Sequence, residues 1–271
     1  MVNGAGSELR VHGATGPVFG VAVEGSTANN LVLIGAGAKA LITSGAKVVT
    51  EGVNISGVLI GGLGGPLASV VVDGIGSILD AGSLLVVGSH PIVTGQFGAL
   101  GSAGELVARN GGVAQATTIY IGTDGLVKGN GGTLQGTTVH NHGIIAPGES
   151  PGTLTIQGDL VQAADGKLVI EIGGTTPGSL YDVLNVTGKL TLGRTLEVDL
   201  INGFTPGTND VFDFLHVGSF AGSFANIILP QSLHLNFGPN GITALSAVPL
   251  PAAVWLLGTA LGGLGFYRRR A

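Results

Sequence analysis

Cysteine is absent from the 271 residues, so this chain can have neither a disulfide framework nor thiolate chemistry. Charge is scarce too, at 10% of residues, and aromatic residues make up 5% with a single tryptophan. Of the eleven Lys and Arg, three stand together at 268–270, which leaves eight against sixteen Asp and Glu in the body. An acidic body with scattered cations offers no footprint for nucleic acid. Long charged or alanine-rich stretches between the apolar runs are also missing, which disfavours crossover helices and a βαβ fold. The opening MVNGAGSELRVHG lacks a charged region followed by an apolar run, so it is not a signal peptide.

Glycine is abundant, at 51 residues. Without a G-X-Y period this is not collagen, and 44% hydrophobic content argues against disorder. Short apolar or β-branched runs at 31–34, 46–50, 57–60, 69–72, 83–87 and 117–121 end at Gly, Asn or Asp and read as strands. The text also repeats. Val2-Asn3-Gly4-Ala5-Gly6-Ser7 matches Val72-Asp73-Gly74-Ile75-Gly76-Ser77, Leu41-Ile42-Thr43 matches Leu106-Val107-Ala108, and Val58-Leu59-Ile60-Gly61 matches Ile119-Tyr120-Ile121-Gly122. Offsets of 70, 65 and 61 residues divide into about three coils of roughly 20–23 residues each. Parallel strands stacked coil on coil need no helices, so the favoured fold is all-β, a right-handed parallel β-helix (solenoid), ahead of a β-sandwich. The chain opens inside a repeat, which leads us to expect further coils and a leader upstream of Met1.

Residues 1–175 carry the repeats. Residues 176–246 show cleaner alternation at 189–192 and 195–200, turns at Asn202-Gly203 and Pro206-Gly207, and most of the phenylalanines. This segment is expected to be an antiparallel β-cap closing the end of the solenoid.

Signals for chemistry are sparse. His140-Asn141-His142 puts two imidazoles on one strand face, but no third ligand follows nearby, and a solvated pair is the plainer reading. Asp73 with Asp80, and Glu197 with Asp199, are acid pairs with no basic residue adjacent in sequence. Glycoside hydrolysis needs two carboxyls about 5–9.5 Å apart. Gly61-Gly62-Leu63-Gly64-Gly65 lacks the GK[ST] that would follow it in a phosphate loop. No catalytic residue, metal site or cofactor is assigned.

Residues 247–271 form a third region. No charge occurs from Val248 to Tyr267, twenty residues that as a helix would rise about 30 Å, the thickness of a bilayer's hydrocarbon. Trp255 and Tyr267 lie towards the two ends, where interfacial rings are favoured, and Arg268, Arg269 and Arg270 favour a cytoplasmic C-terminus. Gly258, Gly262, Gly263 and Gly265 would weaken a buried core helix. A single transmembrane helix is therefore expected.

The motif Val248-Pro249-Leu250-Pro251-Ala252, the Trp255-Leu256-Leu257-Gly258 core and the terminal arginines resemble the VPLPA variant of the PEP-CTERM sorting signal. The resemblance implies a Gram-negative bacterium and export across its inner membrane. It further implies recognition and removal of the tail by an exosortase, and delivery to the cell surface or exopolysaccharide matrix. Gly143-Ile144-Ile145-Ala146-Pro147-Gly148-Glu149-Ser150-Pro151-Gly152 and the strand after it resemble the passenger-associated repeat of autotransporter-like surface proteins, which forms β-helix coils. The expected function is a non-enzymatic surface or biofilm-matrix protein, anchored transiently in the inner membrane and facing extracellular polysaccharide. The alternatives are a β-helix polysaccharide lyase or hydrolase whose site lies in coils upstream, and a membrane protein that keeps its anchor.

Overall fold

The computed structural model describes residues 2–3, 8–11, 17–18, 21–26, 29–34, 39–50, 55–61, 66–89, 103–238 and 241–247. All regular elements among them are β-strands, and none is a helix. The expected membrane helix and the sorting residues of 248–271 lie outside the described residues.

One sheet of nine strands runs Val2–Asn3, Lys39–Thr43, Ala68–Asp73, Gly104–Arg109, Gly125–Asn130, Ile144–Ala146, Lys167–Ile172, Thr195–Leu200, Asn226–Ile228, every neighbour parallel. We call this face one. The larger sheet begins as two arms. Glu8–Val11, Lys47–Thr50, Ile78–Asp80 and Val113–Gln115 form face two, while Asn29–Ile34, Ile55–Ile60, Leu84–Val87 and Thr118–Ile121 form face three. Gly132–Asn141 joins the arms, its first half pairing Val113–Gln115 and its second half Thr118–Ile121. Thr153–Gln162, Val183–Leu192 and Leu215–Gly222 then carry both faces as single bent strands. The chain thus visits the three faces in turn and returns one strand further along, a β-helix-like stack of parallel strands, except that Pro17–Val18 and Val21–Ser26 extend face three antiparallel beside Asn29–Ile34.

Alternation decides which side chains enter the interior. Val70, Leu106, Val127, Ile145, Leu168 and Leu196 stack in register inside face one, each no more than 3% exposed. Leu79, Ala114, Leu134, Ile156 and Val186 line face two, and Leu85, Ile119, Val139, Leu160 and Leu190 line face three. Burial of each larger aliphatic contributes about 1.5–3 kcal/mol. The three stacks meet in one continuous apolar core.

The repeat period differs from its expected value. Val2 pairs with Ile42 and Ile42 with Val72, while Val58 pairs with Leu85 and Leu85 with Ile119. The long offsets therefore span two circuits, not three. Circuits of the expected length come later, where Leu106 pairs with Val127 and Val113 with Thr133. The middle match is one residue out, since Thr43 stacks through Asp73 onto Arg109, not Ala108. Because strand side chains alternate, that slip would turn every core residue outward.

Parallel pairing also runs past residue 175, through Val183–Leu192, Thr195–Leu200, Leu215–Gly222 and Asn226–Ile228. Clean alternation reports burial on one face and says nothing about strand direction. Among the described strands of 176–246, antiparallel ladders join Val211–Phe212, Leu233–Gly238 and Gly241–Ala247, and an isolated antiparallel bridge links Tyr181 to Ile172. Phe212 and Phe214 are fully buried there, and Phe212 meets Tyr181 and Phe204 edge to face at 5.5 and 6.1 Å.

Candidate functional site

Stacking gives the isolated acids partners that sequence adjacency hides. Arg109 bridges Asp73 at 3.1 Å and Glu149 at 3.0 Å, and Asn110 Nδ2 donates to Asp73. Lys167 Nζ lies 2.6 Å from Glu197, and Lys128 lies 3.1 Å from Glu105. Asp73 and Asp80 are not brought together as an acid–base pair. Asp80 accepts from Gly82 N at 2.9 Å and from Gln115 Nε2 at 2.7 Å. Half-exposed pairs of this kind are worth about 0–1 kcal/mol each. They fix the register of outward side chains more than they stabilise.

His140 and His142 flank the fully buried Asn141. His140 stacks on Tyr120 with ring centroids 4.8 Å apart, and burial, then the neighbouring His142, lowers its pKa. His142 Nδ1 shares a 2.7 Å hydrogen bond with Asp165. No group of three or more metal-ligating side chains occurs among the described residues.

The turn that resembles the passenger repeat is held from below. Asp182, 1% exposed, accepts from Gly152 N at 2.8 Å through Oδ1 and from Glu171 N at 2.9 Å through Oδ2. Burial outweighs those two bonds and pushes its carboxyl up to about 6.

The corner between faces two and three holds an open concavity of about 470 Å³, within the range of ligand sites. It is lined on one side by Asp80, Gln115, Gln135 and Gln157, which pair in sequence along four successive strands. Thr117 and Thr137, stacked in one row with Gly82 by backbone hydrogen bonds, complete the lining together with Ala116 and Gly136. Its depth comes from chain length at the corner. Three residues separate Asp80 from Leu84, two separate Gln115 from Thr118 and Gln135 from Thr138, and Gly158 alone separates Gln157 from Asp159. The corner tightens along the stack and the groove closes at Gln157.

No protein-family model matches the chain, and no curated protein does. The groove therefore stands on its own geometry. In the sequence, Ala114-Gln115-Ala116-Thr117-Thr118, Leu134-Gln135-Gly136-Thr137-Thr138 and Ile156-Gln157-Gly158-Asp159 spell the groove out at spacings of 20 and 22 residues. Repeated polar residues at a fixed place beside the apolar ones were the available signal.

Proposed function

We infer that the chain is a non-enzymatic, exported surface or matrix protein: a right-handed parallel β-helix with antiparallel strands beyond its last coils and a disposable sorting tail. The observation that carries this reading is the parallel register, which sets outward side chains about 4.8 Å apart from coil to coil. Such a lattice of amides, hydroxyls and neutralised charges suits adhesion to a polymer. Handedness follows from the rule that parallel strands of one sheet are joined by right-handed crossovers. The committed state of the carboxylates also supports the reading: Asp73, Glu105, Glu149 and Glu197 are each held by a cation.

The address rests on the tail. Val248-Pro249-Leu250-Pro251-Ala252 would present the chain to an exosortase-type enzyme while Trp255, Tyr267 and Arg268–270 hold the apolar stretch in the inner membrane. Cleavage would then release the β-structure to the cell surface or exopolysaccharide matrix of a Gram-negative cell. Mass spectrometry of the surface-exposed form tests this, with loss of the three arginines as the expected result. A surface form still ending in Arg268-Arg269-Arg270-Ala271 overturns processing. Release of reducing sugars from exopolymer by the purified chain overturns the non-enzymatic part.

A further inference from the structure

The geometry points to the corner groove as a subsite for an uncharged oligosaccharide segment, read by the amide ladder Gln115, Gln135 and Gln157 together with Thr117 and Thr137. This rests on the reading above, that the stacked strands meet extracellular polysaccharide, and it names the chemistry of that partner.

The ladder has two ends of different character. At one end Asp80 already accepts from Gly82 N and Gln115 Nε2. At the other, Gln135 and Gln157 are exposed, and among the described residues neither amide bonds another protein group. Each amide offers a carbonyl acceptor and two N–H donors in one plane, and the lining threonines add hydroxyls that donate and accept. Adjacent hydroxyls of a sugar ring present the complementary set. Three steps of the stack span about 14 Å, enough for roughly three sugar units laid along the coils. Gly82, Ala116 and Gly136 add little side-chain bulk to the lining.

Charge selects the class. Among the described residues that line the groove, Asp80 is the one ionisable group and none is Lys, Arg or His. A uronate or sulfated chain would bring its anions beside a carboxylate. A neutral chain would meet no such penalty. No aromatic ring lines the groove either. Tyr120 and His140 spend their faces on each other on face three. Each contact is therefore weak, and retention on a long polymer comes from repeated engagement.

The test uses the full-length chain in mild detergent, with cellohexaose and mannohexaose as neutral probes and a galacturonate hexamer as the acidic one. Binding is followed by isothermal titration and ligand-observed NMR. At least one neutral hexamer is expected to bind with Kd on the order of 0.1–1 mM, and the acidic hexamer at least about tenfold more weakly. Gln135→Ala with Gln157→Ala should weaken the neutral probe at least about tenfold. Both side chains are exposed, so the melting curve should be unchanged. Failure of both neutral hexamers to bind, equal binding by the double variant, or preference for the galacturonate each overturns the subsite. None of these results touches the sorting reading, which stands or falls on the mature C-terminus.

Discussion

Asp182 shows how one buried side chain ties local sequence to global stability. Its two oxygens hold Gly152 and Glu171, and so anchor the Pro147–Gly152 turn to the strand beyond it. A folded-state pKa of about 6, against an ordinary 3.8, means the native protein binds the extra proton between those values. The contribution of this group to stability is thus complete below about pH 4 and is lost as pH rises through about 6. The total change is at most about 3 kcal/mol. Asp182→Asn removes the titration but sets an amide N–H against one backbone N–H, at a cost of about 1–3 kcal/mol. Urea unfolding at pH 4, 5, 6 and 7 should show the wild-type advantage over the variant shrinking with pH. A difference that is flat or grows with pH would contradict the burial argument. Nearby, the Gln162 amide accepts from Asn141 Nδ2 at 2.8 Å, while its own buried Nε2 has no partner among the described residues. Gln162→Leu should therefore cost less than about 1 kcal/mol in thermal unfolding, since the orphaned donor goes as well.

Among the elements, the long strands depend on a column of glycines. Gly136, Gly158, Gly188 and Gly218 stand at the bend of successive strands, and a Cβ on each of the last three would strike a backbone carbonyl of the coil before. Gly158 adds a positive φ of 132°, so Gly158→Ala should cost about 3 kcal/mol or more. Gly203, with φ 69° and nothing within 4 Å of its Cβ, is the control, and Gly203→Ala should cost only about 1 kcal/mol. Chemical denaturation of both variants checks the contrast, and equal losses would refute it. This column also explains where the sequence was legible. Strands such as Ala68–Asp73 and Thr118–Ile121 were evident from β-branched runs ending at turn residues. Glycine inside Thr153–Gln162 bends a strand without ending it, so glycine counted as punctuation misplaces the corners. Register was least legible, because Ala40, Val70 and Leu106 share one stack while differing in size. The groove was harder still, since its side chains are 20 or more residues apart in sequence and meet only when the circuits have the right length.

At the scale of the whole molecule, each strand contacts mainly the strands before and after it in the stack, so stability is close to a sum of neighbour terms. Damage should then spread along one axis and stop. Among the described strands Asn226–Ile228 is paired on one side only, by Thr195–Leu200, and Ile227 and Ile228 are 39% and 46% exposed. That end has least to lose and should open first. Gly158→Ala places its strain between the strand Gly132–Asn141 and the last coils. Hydrogen exchange read by mass spectrometry should show faster exchange through Val183–Leu192 and Leu215–Gly222 in this variant. Gly104–Arg109 and Gly125–Asn130, with parallel partners on both sides, should keep wild-type protection. Uniform acceleration across both regions would mean that the stack unfolds as one cooperative unit. The strand-by-strand additivity argued from its topology would then be wrong, whatever the groove binds.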